Sequence, residues 1–290
     1  MATIVSHFAE ISDQYDVAFV DLWGCMHNGI TPFQDAVAAM TSYRSRGGKV
    51  VLVTNSPRPW DSVAQQLLDM GMAPCWDAIA TSGDSARAAM FRGFVGSKVY
   101  FMGETPRDDD FFKPLSIIEN PVDIQKVPLN EAEGIVCCGP FDTQAPVEDN
   151  RADFLYAKSK GLKLLCANPD IIVDRGEVRE WCAGALAALY TEMGGESLYF
   201  GKPHPPIYDL ARRRYAALDG SLPDPRIIAI GDGIRTDVLG GQQEDIDTLF
   251  ITGGLAAAET KTDTQPDQTA LNAYIETEKV TPTYAIGFLR

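Results

Sequence analysis

Asp16-Val-Ala-Phe-Val-Asp21 is a short apolar run closed by an acid, and two further stretches repeat its form: Lys49-Val-Val-Leu-Val-Thr54 and Arg226-Ile-Ile-Ala-Ile-Gly231, with Asp232 next. Apolar runs without alternation are the mark of parallel strands covered on both faces. Between the first two lies a segment from Phe33 to Arg46, apolar at Phe33, Val37, Met40 and Tyr43 and stopped by Gly47-Gly48. That spacing predicts a crossover helix and hence a βαβ unit. In open α/β sheets ligands gather beyond the carboxyl ends of the strands. Asp21, Thr54 and Asp232, far apart in sequence, are therefore expected to share one site.

The chain of 290 residues is long for one core and points to two domains. After the second run the core pattern breaks near Ser82 and resumes near Ser197 with Leu198-Tyr-Phe-Gly-Lys202. The intervening stretch has its own rhythm, with strands expected at Lys98–Met102, Gly134–Cys138 and Lys163–Ala167 and helices at 151–160 and 183–193. It reads as a small inserted α/β domain over 83–196, the core being 1–82 and 197–290. Asp108-Asp109-Asp110 within it is expected to be a solvated loop. Near the carboxyl end, 259–283 is polar with a helix at 267–278, and 282–289 returns to strand character.

A net charge of −15 opposes a phosphate-backbone partner, so no nucleic acid is expected. No apolar stretch approaches a membrane span and the amino terminus does not read as a signal peptide, so the expectation is a cytoplasmic protein without a membrane partner. A homo-oligomer is left open. The six cysteines form no CxxC pair and no zinc-type spacing with histidine. Most fall in apolar contexts and read as buried free thiols. Cys25, in the loop after Asp21, is a candidate catalytic thiol but reads better as a packing residue.

A phosphate monoester resists anionic nucleophiles, so its cleavage is mostly positioning and charge neutralisation. A carboxylate can act as nucleophile, forming an acyl phosphate that water hydrolyses. Asp21 suits that task, although an aspartate after a strand is also a common cap or turn residue. Thr54, with the N–H groups after it, suits a phosphate oxygen, or equally a cap. Lys202 offers positive charge, and its Gly-Lys-Pro context is not a Walker loop. Asp232 and Asp237, flanking a turn, are hard oxygen donors of the kind magnesium takes.

Taken in order, Asp21-Leu-Trp-Gly24, Val53-Thr-Asn55, Gly201-Lys-Pro203 and Gly231-Asp-Gly-Ile-Arg-Thr-Asp237 resemble the four-part active site of the haloacid dehalogenase (HAD) superfamily. Asn28-Gly29, Pro32-Phe33, Thr81-Ser-Gly83 and Ala167-Asn-Pro-Asp170 extend the likeness to its class IIA branch. That branch has a large C2-type cap between the second and third motifs and includes nucleotide, phosphoglycolate and pyridoxal phosphate phosphatases. The resemblance implies an α/β fold: a HAD-like Rossmannoid core with a parallel sheet and an inserted smaller α/β cap. It makes Asp21 the nucleophile, Thr54 and Asn55 the phosphate binders and Lys202 the charge partner. Mg2+ would be held by Asp21, the Trp23 carbonyl and Asp232, with Asp237 supporting it. In the cap, Asn168, Asp170, Arg175 and Arg179 would face a small phosphorylated metabolite and set specificity.

Trp23 departs from the pattern. The family's usual residue there is an aspartate that protonates the leaving group and later activates water, and an indole N–H has no useful acid-base range. His27, four residues on, titrates near neutrality and is a substitute, or a packing residue of the loop. The expected activity is a magnesium-dependent phosphomonoesterase, slow or specialised. The alternative is a phosphate-binding or regulatory protein of the same fold with little turnover. A dehalogenase is disfavoured, because carbon-centred chemistry needs no Asp232 and Asp237 pair.

Overall fold

Val17–Val20 and Lys49–Thr54 are parallel neighbours, with Val20 opposite Leu52, and Ile227–Gly231 lies on the other side with Ile230 opposite Val20. In this computed structural model they are the centre of a seven-stranded sheet. Its order is Thr3–Ile4, Tyr284–Ile286, Asp247–Ile251, Ile227–Gly231, Val17–Val20, Lys49–Thr54, Ala78–Thr81. The structure describes residues 2–106, 108–113, 115, 120–175 and 178–290, with Asp174 and Arg175 described in their backbone only.

The chain divides into two compact units, the first made of Met1–Thr54, Ala64–Ala80 and Lys202–Arg290. Its strand interiors are buried on both faces, as the unbroken apolar runs require. The crossover helix is Gln34–Ser45 and buries Ala36, Val37, Met40 and Tyr43. Phe33, expected as its first apolar position, is instead its N-cap. The Tyr43 hydroxyl donates to the Tyr15 carbonyl at 2.9 Å, and Gly47 ends the segment with a φ of +99°, a left-handed value that glycine adopts at no steric cost. A helix at Gln268–Glu278 starts from Asp267, whose carboxylate accepts the Ala270 N–H at 2.8 Å. Tyr284–Ile286 then joins the sheet, and Thr3–Ile4, unread in the sequence, adds an edge beyond it.

The second unit comprises Asn55–Val63 and Thr81–Gly201. It holds a parallel five-stranded sheet in the order Glu196–Tyr199, Lys163–Cys166, Gly134–Cys137, Lys98–Met102, Gln125–Lys126. Apolar clusters cover it, one built around Phe154, Leu186 and Tyr190 and another around Met90, Phe111 and Val136. Ile172–Arg175 and Val178–Trp181 form a separate antiparallel hairpin, with no strand expected there from the sequence. Asn55–Val63 also falls in this unit. Its backbone explains why: Gly83 N–H donates to the Ser56 carbonyl at 3.0 Å, and Asp84 accepts the Trp60 N–H at 3.2 Å.

One expectation fails in this unit. Asp108 is not solvated; it is 8% exposed, and its carboxylate accepts the Glu104 N–H at 2.8 Å. A carboxylate that closes its own turn can be buried, which a reading of net charge along a run does not capture. Asp109 and Asp110 pair with Lys126 and Lys113.

Candidate active site

The carboxyl ends of the first unit's central strands carry the polar residues expected there. Asp21 follows Val20, with its N–H donating to the Ile230 carbonyl at 2.8 Å, so the sheet ladder itself fixes its backbone. Thr54 ends the neighbouring strand and is buried. Lys202 Nζ donates to Asp21 Oδ1 at 2.5 Å and to Asp237 Oδ1 at 2.7 Å, and all three side chains are buried. Burial works against the lysine's charge, but Asp21 and Asp237 outweigh it and hold its pKa well above the ordinary value.

Asp237 reaches Lys202 from a single π-helical turn, Ile234–Val238, which begins at Gly233. Such wide turns are frequent at functional sites. Here it folds Asp237 back so that Oδ2 accepts from Gly233 N–H at 3.1 Å and from the Thr236 hydroxyl at 3.3 Å. Both oxygens of Asp237 therefore meet protein donors. Its geometry is that of a brace for Lys202.

Asp232 is enclosed differently. Its Oδ2 accepts the Leu255 N–H at 3.0 Å, and a Cβ added at Gly24 or Gly254 would run into its carboxylate. Glycine at both positions leaves the space that the acid fills. The loop after Asp247–Ile251, which supplies Gly254 and Leu255, was missed in the sequence. Its signal was the apolar run closed by Thr252-Gly253-Gly254.

Three buried carboxylates face one ammonium, and the surplus shows at Asp232. Burial first, then Asp21 and Asp237, push its carboxyl well above the usual range. One oxygen each of Asp21 and Asp232 and the sulfur of Cys25 lie within 4.8 Å of one another. Surplus negative charge and hard oxygen donors around a small space fit a divalent cation such as magnesium. The thiol does not share in that fit, being a soft ligand. Burial and the same carboxylates push Cys25 upward, so it stays a neutral thiol rather than a nucleophile.

Trp23 and His27 lie in a tight loop in which Gly24 N–H donates to the His27 carbonyl at 2.9 Å. Their rings meet edge to face with centroids 5.2 Å apart, and the indole also covers Gly29, where a Cβ would collide with it. His27 is buried, and its Nδ1 accepts the Gly29 N–H at 2.9 Å. Burial pushes its pKa down to about 4, so at neutral pH the ring is uncharged with its proton on Nε2.

Of the expected cap residues, Asn168 Oδ1 accepts the Asp170 N–H at 3.0 Å, an Asx-type turn. Asp170 Oδ1 accepts from Asn55 Nδ2 at 2.7 Å. Arg179 is exposed on the strand Val178–Trp181, its carbonyl accepting from Gln144 Nε2 at 2.9 Å. Arg175 ends the partner strand, and its side chain lies outside the described residues.

Comparison with known proteins agrees with this architecture. The sequence model of haloacid dehalogenase-like hydrolases matches residues 18–113, and a HAD-hydrolase-like model matches 199–274. A haloacid dehalogenase-like hydrolase from Brucella suis 1330 is 36% identical, with a TM-score of 0.84 over 99% of this chain and 100% of that one. An acid sugar phosphatase of Staphylococcus saprophyticus is 25% identical over 93% of each chain. A glycerol phosphate phosphatase of Mycobacterium tuberculosis, solved in complex with magnesium, shares the fold at 21% identity and a TM-score of 0.66, over 95% of this chain and 76% of that one. The chain belongs to the haloacid dehalogenase-like hydrolase family. Among the described residues, no helix is long and apolar enough to cross a membrane.

Proposed function

We propose that this protein is a magnesium-dependent phosphatase of a small phosphorylated metabolite, working through an aspartyl phosphate on Asp21. The observation that carries the reading is the Lys202 ammonium clamped between Asp21 and Asp237 beside the surplus charge of Asp232. Relatives that are phosphatases, one of them solved with magnesium, support it. Asp21, Asp232 and the Trp23 carbonyl would hold the ion, with Asp237 behind them. When bound, magnesium would neutralise phosphoryl oxygens and let Asp21 approach an anion.

The chain's own residues do the rest. Lys202 holds the Asp21 carboxylate in place and offers charge to the same phosphoryl group. Thr54 and the N–H of Asn55 receive phosphate oxygens. A carboxylate oxygen of Asp21 bonds to phosphorus as the ester P–O bond breaks, and the leaving oxygen must gain a proton. Water then attacks phosphorus, the acyl phosphate P–O bond breaks, and phosphate and the Asp21 carboxylate are restored. Neither Trp23 nor a neutral His27 whose Nδ1 is engaged by Gly29 is an acid for the first step. Substrates whose leaving groups need no proton are therefore favoured. Substrate choice lies with the second unit, where the exposed Arg179 supplies positive charge to an anionic metabolite.

The test is phosphate release from a panel of sugar, nucleotide, aryl and acyl phosphates with magnesium and with a chelator. Activity should require the metal, and Asp21→Asn, nearly isosteric, should lower it below detection without unfolding the protein. Undiminished release from the pure variant rules out the aspartyl phosphate. The locked Trp23–His27 loop also favours a second reading, a phosphate-binding protein with little turnover. A panel that shows binding of inorganic phosphate but no release would select it.

A further inference from the structure

The chain passes between the two units at Thr54–Asn55 and at Gly201–Lys202, so each of these crossings carries a candidate active-site residue on its first-unit side. On the second-unit side both crossings are tied into one polar cluster. Asn55 is buried, and its Nδ2 donates to Asp170 Oδ1 at 2.7 Å. The Cβ position of Gly201 is filled by Asn55 Oδ1, the Pro169 ring and Ser82 Oγ. Ser82 Oγ is fully buried and has no hydrogen-bond partner among the described residues.

Two helix starts hold the members of this cluster from outside. The helix Ser82–Phe91 clamps the Asn55 segment: Gly83 N–H donates to the Ser56 carbonyl, and a Cβ at Gly83 would strike the carbonyls of Pro57 and Arg58. The helix Ala183–Glu192 clamps the Asp170 loop in the same manner. Gly184 N–H donates to the Asp170 carbonyl at 3.1 Å, and a Cβ at Gly184 would strike the carbonyls of Pro169 and Asp170. Asn168 closes the turn below it. The backbone that presents Asp170 is thus fixed, and its carboxylate meets the side chain of Asn55.

We infer that Asp170 is a positioning residue: through the Asn55 amide it fixes the main chain at Thr54–Asn55 for phosphate, and it does not contact the substrate body. The inference rests on the phosphatase reading and narrows it, since Asp170 then acts on the group common to every substrate. Specificity falls to the hairpin that carries Arg179.

Calorimetric titration of inorganic phosphate in the presence of magnesium tests this, together with KM and kcat for an aryl and a sugar phosphate. Asp170→Ala and Asn55→Ala should each weaken phosphate about ten-fold, the scale of one hydrogen bond to a charged group. The double variant should be no worse than the weaker single, because both remove one interaction. KM should rise by the same factor for both esters. Asp170→Asn keeps an acceptor oxygen for Asn55 and should stay within about two-fold of wild type. It also carries the test if Asp170→Ala does not fold: a ten-fold loss in folded Asp170→Asn overturns the inference. So does wild-type phosphate affinity in Asp170→Ala, or a KM effect confined to one ester, which would make Asp170 a substrate contact. Wild type that neither binds nor releases phosphate overturns the phosphatase reading, and the role of Asp170 in it falls too. Wild-type turnover with additive single variants overturns the positioning role alone.

Discussion

The two units are built alike and differ at the ends of their strands. Each has a parallel sheet with a buried centre, yet the first unit's strands run out into Asp21, Thr54 and Asp232, the second's into Gly103, Cys138 and Ala167. In the first, carboxylates and a lysine are buried together and adjust one another's ionisation. In the second, the corresponding ends are one thiol and two small residues, of which Cys138 and Ala167 complete a core. The parallel sheet provides a place for chemistry without deciding that there will be any; a few residues at strand ends decide it. A buried charge cluster is tolerable only where its members pair, and this contrast can be broken most forcefully by removing one of them.

Lys202→Met is the largest such break. It leaves Asp21 and Asp237 buried without their cation, a situation that costs about 3–5 kcal/mol when one partner of a buried pair is removed. Thermal or denaturant unfolding should show a loss of this size, and phosphate release should fall below detection. The same change at Lys163, an exposed lysine of the second sheet paired with Glu196, should cost no more than about 1 kcal/mol. Equal losses at the two positions would mean that the cluster is not held by Lys202.

The next effect is kinetic. General acid-base help is worth about 10²–10⁴-fold, and the loop after Asp21 presents Trp23 where that help would be expected. Aryl and acyl phosphates should exceed alkyl phosphates in kcat/KM by a factor in that range. Trp23→Asp should raise alkyl-ester hydrolysis and narrow the gap. The indole is only partly buried, so its removal should cost less than the ~3–5 kcal/mol of a fully buried tryptophan. A folded, metal-binding Trp23→Asp that gains nothing, beside a wild type indifferent to leaving group, would transfer the proton work to another residue.

The first unit was the more legible of the two because its strands are continuous apolar runs, each closed by a polar residue, and because the helix from Gln34 repeats its apolar positions at helical spacing. Asp21, Thr54, Lys202, Asp232 and Asp237 could be chosen on chemistry and spacing. Sequence could not show that Asp237 braces Lys202, since that depends on a π-helical turn. Nor could it show that Gly24 and Gly254 make room for Asp232 from two distant loops. In the second unit, Asp108 looked solvated in its run of acids and proved to be a buried turn residue. The strands Ile172–Arg175 and Val178–Trp181 mix polar with apolar residues and carry no clear strand signal in the sequence. Asp170 and Asn55, 115 positions apart, have no signal linking them in one sequence.

The smallest effect should come from the thiols, where the second sheet predicts inertness. All six cysteines are buried. Burial raises Cys137, Cys138, Cys166 and Cys182 above the ordinary thiol range and takes Cys75 up to about 11. Cys25, although beside Asp21 and Asp232, is raised by burial and then by those same carboxylates. A thiol reacts as its thiolate, so neither accessibility nor ionisation favours attack at neutral pH. Native protein treated with an alkylating reagent should keep its mass and its turnover, and six modifications should appear only on unfolding. Rapid modification of one thiol in the native protein, with loss of phosphate release, would identify Cys25 as reactive and bring it back as a working member of the site. Modification without loss of activity would instead locate an opening in the second unit's core, and the two outcomes separate by peptide mapping of the labelled residue.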